Sequence, residues 1–285
     1  MKKTLKLIPA ICMLVIAAVL VSTATYAWFS MNTSVEATGL NVEAVSDGSL
    51  YIYHGDNQPN YDDIVDGTVD LADYQNNVAV AAGLKPTSTV NVQDWFADLA
   101  IHADNYASNE TFDDVTSTAD GTYYLKKTVW VRSENDFDTL VVNGVTINAT
   151  ATGTNYDDVL EKSITVAFKV THYTPVSGSD VTVSDNPVFV ANEATTRRNG
   201  GVAAGTNGAD PAVAALTFVA QSDVASSTPA IWTKPANGSE VANNVFEIEI
   251  YVYFDGQSQS CYSNAMLTAG ILTGSISVSF GTTQA

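Results

Sequence analysis

The stretch Val-Phe-Glu-Ile-Glu-Ile-Tyr-Val-Tyr-Phe, Val245–Phe254, alternates two kinds of side chain along its whole length. One set is apolar at every second position from Phe246 to Phe254, and the other set includes Glu247 and Glu249. Successive side chains of a β-strand point to opposite faces, so a period of two is typical of a strand with one buried face. The stretch therefore predicts a core strand.

Similar alternation continues on both sides of this strand. Residues 122–133 are rich in strand-forming side chains, residues 164–170 alternate apolar and polar positions, and residues 275–280 alternate apolar residues with serines. Residues 140–149 contain Asn143-Gly144, a favoured pair for a two-residue hairpin turn. Because no strand–helix–strand rhythm is present, the pattern predicts an all-β, antiparallel β-sandwich.

Two segments interrupt the alternation and predict loop insertions in a single sandwich domain. They cover about residues 54–121 and about residues 175–240, where Asp, Asn, Gly and Pro are frequent. In the first, residues 93–102 place apolar side chains on one helical face and predict one short surface helix. In the second, the short apolar runs Val188–Ala191 and residues 216–220 could form edge strands, but the Gly and Asn content favours exposed loops.

The charge of the chain limits its partners. The 285 residues include 12 basic and 31 acidic side chains, a formal net charge of −19. Such an excess repels nucleic acid and anionic lipid. Solubility outside the cell, Ca²⁺ binding and repulsion between assembled subunits are the three interpretations of the charge. Cys261 is the single cysteine outside the N-terminal leader, so we expect a buried thiol and no intrachain disulfide.

The N-terminus has the three parts of a secretory signal peptide, predicted to cover residues 1–27. Lys2, Lys3 and Lys6 precede the apolar residues 7–21, and a short polar stretch ends at Ala27. We expect a signal peptidase to cleave after Ala27, giving an extracellular protein. The alternative is an uncleaved membrane helix, which would be the chain's contact with a membrane.

A change of strand parity follows the expected cleavage point. Apolar residues occupy the odd positions through Phe29, Met31, Val35 and Ala37, and after Gly39 they occupy the even positions. This change predicts a β-bulge or a crossing between packing surfaces. Residues 50–53, which follow the Asp-Gly pair at 47–48, predict the second strand of a hairpin.

Two runs in this region carry a resemblance to a known family. They are Thr-Tyr-Ala-Trp-Phe-Ser at residues 25–30 and Val-Glu-Ala-Thr-Gly-Leu-Asn-Val at residues 35–42. Together they resemble the TasA/camelysin family of secreted Gram-positive proteins. The resemblance implies a dedicated signal peptidase, a jelly-roll-like β-sandwich, and fibres of the biofilm matrix or cell surface.

In the matrix proteins of that family, an N-terminal strand is lent to a neighbouring subunit. The resemblance therefore implies self-association into fibres, with residues 28–38 as the donor strand. The residues expected to take part in assembly are Trp28, Phe29, Met31, Val35, Ala37 and Gly39.

The motifs of common enzymes are absent from the sequence. His54, His102 and His172 are isolated, and no His-Glu-x-x-His pair for zinc occurs, although camelysin is described as a metallopeptidase. We expect no enzyme activity, no catalytic residue and no cofactor.

An acidic stretch offers a candidate Ca²⁺ site, since Ca²⁺ prefers carboxylate oxygens. Its candidate ligands are Asp62, Asp63, Asp66 and Asp70. The spacing matches no EF-hand loop.

Two functions remain open from the sequence. The first is a fibre-forming structural protein that assembles by strand donation. The alternative is a monomeric adhesin or carbohydrate-binding sandwich that uses its inserted loops. Tyr51, Tyr53, Tyr61 and Trp95 could stack on sugars in that alternative, or they could pack in the core.

Overall fold

The structure is a computed structural model. It describes residues 36–46, 50–55, 57–66, 68–70, 84–89, 91–97, 113–116, 122–151, 161–173, 181–183, 187–192, 218–235, 244–256, 258, 261 and 271–284. These residues belong to one compact unit, Ser34–Ala285.

Fifteen strands are described, which makes this part of the chain predominantly β. In chain order they are β1 Glu36–Ser46, β2 Leu50–His54, β3 Thr68–Asp70, β4 Ser88–Thr89, β5 Trp95–Ala97, β6 Asp113–Asp114, β7 Tyr124–Ser133, β8 Thr139–Ala151, β9 Ile164–Tyr173, β10 Val181–Val183, β11 Val188–Ala191, β12 Phe218–Ala220, β13 Ala230–Thr233, β14 Val245–Phe254 and β15 Ile271–Thr283. One α-helix, α1, covers Gln221–Ser227, and short 3₁₀ turns cover Tyr61–Asp63 and Glu161–Ser163.

The strands form three sheets. The five-stranded sheet has the order β13-β8-β15-β1-β3 and is called the small sheet. The seven-stranded sheet has the order β12-β11-β9-β14-β7-β2, with β10 also paired to β9, and is called the large sheet. A third sheet, β4-β5-β6, has three short strands. Most pairs are antiparallel, while β1–β15 and β11–β12 are parallel.

The main core lies between the large and small sheets. Ile248 and Ile250 of β14 and Val278 of β15 are fully buried in the same apolar cluster. The rings of Phe168 on β9 and Phe280 on β15 meet edge to face, with centroids 5.9 Å apart, so the two sheets contact each other directly. Cys261 is also buried in this cluster, as predicted, and its thiol takes part in no disulfide among the described residues.

The alternation predicted for β14 is confirmed. Phe246, Ile248 and Ile250 face the main core, while Glu247 and Glu249 face outward and are half-buried. β14 is paired along most of its length with β7 on one side and β9 on the other, which places it at the centre of the large sheet.

Helix α1 closes one side of the sandwich. The side-chain oxygen of Gln221 accepts a hydrogen bond of 2.8 Å from the backbone N–H of Ile147 in β8. Its side-chain nitrogen donates to Asn192, which follows β11 in the large sheet, at 2.6 Å. Because one residue contacts both sheets, α1 links them beyond the end of β13.

The surface helix predicted at residues 93–102 is wrong for the residues described there. Residues 95–97 form β5, and residues 98–102 lie outside the described residues. The Asn91 side chain accepts hydrogen bonds from the backbone N–H groups of Gln93 and Asp94, which favours a turn over a helix. Trp95 is then buried against tyrosines of the large sheet, so tertiary packing overrides the helical spacing.

The hairpin turn predicted at Asn143-Gly144 is also wrong. β8 runs through this pair, and the register of β8 with β15 shifts here, because Ser279 pairs with Gly144 and Phe280 with Val142. A Cβ on Gly144 would lie 2.9 Å from the Ser279 side-chain oxygen. The Asn-Gly pair therefore marks a β-bulge with close strand approach rather than a chain reversal.

Two further differences concern connectivity. β2 pairs with β7 in the large sheet, so it forms no hairpin with β1 in the small sheet. The described part of the second predicted insertion supplies β11 and β12 to the large sheet and β13 to the small sheet. The exposed loops that composition favoured for its two apolar runs are therefore wrong, since both runs contain strands, and β11 lies inside the large sheet, between β12 and β9.

A histidine is buried near the end of β9. The ring of His172 stacks on Phe246 at a centroid distance of 4.5 Å and lies 5.1 Å from the Trp232 ring. Its Nε2 atom is 2.9 Å from the Asn244 amide nitrogen. Burial lowers the pKa of His172 below its ordinary value, because the apolar surroundings disfavour the charged imidazolium.

We predict a loss of stability on mild acidification that depends on His172. The unfolded chain binds a proton at this residue near pH 6.5, and the folded chain binds one only at lower pH, so the unfolded state holds more protons as pH falls. The contribution is fully present above pH ~6.5 and is lost below it. The free energy of unfolding, measured with denaturant between pH 5 and 7.5, should fall less steeply in His172→Gln. Equal slopes in the two proteins would contradict the prediction.

Candidate functional site at the edge of the first strand

The first and last strands of the described chain lie side by side. β1 and β15 run parallel, from the pair Glu36–Ile271 to the pair Ser46–Phe280. The register shifts between Ala37, opposite Leu272, and Leu40, opposite Gly274. Two residues of β1, Thr38 and Gly39, thus oppose one residue of β15, so the bulge predicted at Gly39 is confirmed.

The other edge of β1 is only partly paired. β3 forms an antiparallel pair with Glu43, Ala44 and Val45. Within the part of the chain that the structure describes, no strand pairs with residues 36–42 on that side. We call these seven residues the assembly edge.

The predicted assembly residues fall into two groups. Ala37 and Gly39 lie in β1, on the assembly edge. Trp28, Phe29, Met31 and Val35, with the predicted cleavage residue Ala27, lie outside the described residues. Glu36 and Ala37, at the end of the predicted donor segment 28–38, pair with β15 of their own chain.

The predicted Ca²⁺ ligands do not converge in the described residues. Asp62 and Asp63 are exposed on a 3₁₀ turn, where the Asp63 carboxylate accepts a hydrogen bond of 2.9 Å from Asn60. Asp66 is exposed, and Asp70 pairs through its backbone with Glu43. No group of three or more His, Cys, Asp or Glu side chains is gathered in the described ranges. The Ca²⁺ site stays a prediction.

An arginine that sequence reasoning missed holds this acidic loop. The Arg132 guanidinium carbon lies 4.4 Å from the ring centroid of Tyr51 and 4.2 Å from that of Tyr61. Its Nε donates to the backbone oxygen of Ile64 at 2.6 Å, and its Nη1 donates to the Tyr61 hydroxyl at 2.8 Å. We call this arrangement the Arg132 clamp. The sequence signal for this arrangement was a basic residue on the outward-facing set of a predicted strand, in a chain with tyrosines on neighbouring segments.

The aromatic residues considered for sugar stacking have packing roles. Trp95 is buried, with its ring stacked on Tyr124 at 4.3 Å. Tyr51 and Tyr61 contact Arg132, and Tyr53 joins them in a small cluster around Ile64 and Trp130. Within that cluster, the Trp130 ring nitrogen donates to the backbone oxygen of Gly55 at 2.7 Å. Core packing, one of the two interpretations made from the sequence, fits these contacts.

Comparison with protein-family models, with curated proteins and with solved structures finds no match to this chain. The TasA/camelysin resemblance therefore rests on the two short N-terminal runs. Among the residues described, no helix has the length and apolar character needed to cross a membrane.

We predict that Arg132→Lys loosens the loop at residues 60–66. Lysine keeps the charge but loses the planar contact with two tyrosine rings and the forked pair of donors, so the free energy of unfolding should fall by about 2 kcal/mol. Amide hydrogen exchange at Ile64 should accelerate, because its carbonyl loses a partner and the loop opens more often.

Glu134→Gln is the matched control. Glu134 contacts Arg132 at 3.5 Å from a side chain that is 62% exposed, so its loss should leave exchange nearly unchanged. A chelator distinguishes the clamp from the predicted Ca²⁺ site. A loop held by Arg132 keeps its protection in EDTA, whereas protection lost in EDTA would contradict this account.

Proposed function

We propose that the protein is a secreted structural component of the cell surface or biofilm matrix that assembles into fibres. In this proposal residues 28–35 of one subunit pair with the assembly edge of the next, and each subunit is a jelly-roll-like sandwich. The support is the resemblance of the N-terminal runs together with the edge of β1, where no strand of the described residues pairs with residues 36–42.

The assembly edge carries the proposal. Backbone N–H and C=O groups at an open sheet edge gain partners when another strand is added, and main-chain hydrogen bonds then supply affinity. The edge offers seven residues, and the donor segment has eight, which span about 26 Å when extended. The donor is therefore long enough to cover the whole edge.

The donor sequence has the alternation that such a strand needs. Phe29, Met31 and Val35 share one face, and Ser30, Asn32 and Ser34 share the other. A strand added to a sandwich sheet directs one face to the core and the other to solvent. The apolar face would then fill space beside the acceptor's core, and the polar face would remain in water.

The other sheet edges disfavour uncontrolled association. The terminal strands β2, β3, β12 and β13 have three to five residues each. Short edge strands are a common protection against sheet-to-sheet aggregation. The charge of −19 adds repulsion between subunits, so directed donation at one longer edge is favoured over lateral contact.

We predict that assembly depends on the parity of the donor residues. The double variant Phe29→Lys with Met31→Lys places charge on the face that would enter the acceptor's core, so fibres seen by electron microscopy and light scattering should be lost. The matched variant Ser30→Lys with Asn32→Lys adds the same charge to the other face and should retain fibres. The N-terminal residue of the secreted chain, read by mass spectrometry, should be Trp28.

Identical behaviour of the two double variants would contradict strand donation. A secreted wild-type chain that stays monomeric would contradict the fibre proposal as a whole and would favour the adhesin alternative.

A further inference from the structure

The outer face of the large sheet carries a row of charged side chains between two aromatic clusters. Lys126 of β7, Lys169 of β9, and Glu247 and Glu249 of β14 lie on three adjacent strands. We call these four residues the charged strip. They face away from the main core, because their neighbours in each strand face toward it.

The strip contains two sets of polar contacts, one around each glutamate. The Glu249 carboxylate pairs with Lys126 and, at 3.5 Å, with Lys169. It also accepts a hydrogen bond of 3.2 Å from the Tyr251 hydroxyl. The Tyr173 hydroxyl donates to Glu247 at 2.9 Å. Two ammonium groups, two carboxylates and two hydroxyls thus lie on one sheet face.

The environments of the two carboxylates differ. Burial raises the pKa of Glu247, against the opposing effect of the Tyr173 hydrogen bond. Burial, with the Glu247 contact, also raises the pKa of Tyr173 to about 12, so this hydroxyl stays protonated and remains a donor near neutral pH. Glu249 instead has two lysines beside it.

Aromatic side chains border the strip at both ends. Beyond Glu249, Tyr251 lies near Tyr124 and Trp95, with ring centroids 5.3 and 5.8 Å away, where the third sheet covers the large sheet. Beyond Glu247, the centroid of the Tyr173 ring lies 5.5 Å from that of Trp130. The two tyrosines of the Arg132 clamp pack against the same cluster around Trp130. Tyr124 and Tyr173, at the two ends of the strip, are half-buried.

We propose that the charged strip and its bordering tyrosines bind a neutral oligosaccharide. Sugar hydroxyls both donate and accept hydrogen bonds, so they match a surface that mixes ammonium groups with carboxylates and hydroxyls. The apolar faces of a sugar ring can pack against half-buried aromatic rings such as those of Tyr124 and Tyr173. Binding here uses different residues from the aromatic set considered from the sequence.

The charges of the strip and of the whole chain favour an uncharged glycan over an acidic one. Two lysines balance two glutamates, so the strip is locally neutral in a chain with a net charge of −19. An acidic polysaccharide would be repelled by the rest of the surface, while an uncharged one would not. Tyr124 lies opposite Tyr253 and Tyr173 lies opposite Val245 of β14, so the bordering tyrosines lie about 26 Å apart along the sheet, which requires an oligosaccharide longer than a disaccharide.

The test is calorimetric titration of the purified chain with three uncharged hexasaccharides, namely cellohexaose, maltohexaose and the N-acetylglucosamine hexamer. We expect at least one to bind at a single site. Glu249→Gln and Lys169→Gln should each weaken that binding about tenfold or more, because a buried polar group of the strip loses its partner.

Lys234→Gln is the matched control. Lys234 has a side chain that is 16% exposed, against 17% for Lys169, and it pairs with Asp136 at 2.7 Å away from the strip. Affinity should be unchanged in this variant. Lys126→Gln is a second strip variant for use if Lys169→Gln melts at a lower temperature than the control.

Two results would overturn the proposal: no binding of any of the three hexasaccharides at millimolar concentration, or binding that is unchanged in every strip variant that melts like the control. Binding should persist in the Phe29→Lys, Met31→Lys chain, so a failure of fibre formation and a failure of glycan binding are distinguishable.

Discussion

The parallel pairing of β1 with β15 is the constraint on which the rest of the small sheet depends. It places the N-terminal strand inside the sheet, beside a strand that is itself paired with β8 along its length. On the other side of β1, the described pairing is with β3, at Glu43, Ala44 and Val45. The bulge at Gly39 interrupts the register at the point where the apolar parity of the sequence changes.

The large sheet depends on β14 in a different way, since both faces of β14 make contacts that organise the protein. Its inner face supplies Phe246, Ile248 and Ile250 to the main core. Its outer face contributes Val245 to the apolar cluster around Ile64 and Trp130, and it contributes two glutamates to the charged strip. Farther along the same face, Tyr251 joins the aromatic cluster under the third sheet. A strand with one apolar and one polar set of side chains thereby organises a core and a surface at once.

Sequence alternation predicted the structure correctly where a strand has one buried face, because a period of two does not depend on which strand is the partner. β14 and the bulge at Gly39 are of this kind. The predictions were wrong where tertiary packing decided between a helix and a strand, as at Trp95. They were also wrong at Asn143-Gly144, which lies in a β-bulge rather than a hairpin turn. The charged strip could not be found from spacing, since its four members come from strands far apart in sequence and meet only through the registers of β7, β9 and β14.

The two proposed functions use surfaces that do not compete. The assembly edge belongs to the small sheet, and the charged strip lies on the outer face of the large sheet. A fibre built through the assembly edge would therefore present one strip per subunit. Weak binding of single sugar segments would then add up along a polysaccharide, because each further contact is made at a high effective concentration. In this arrangement assembly itself converts a modest glycan site into a strong one.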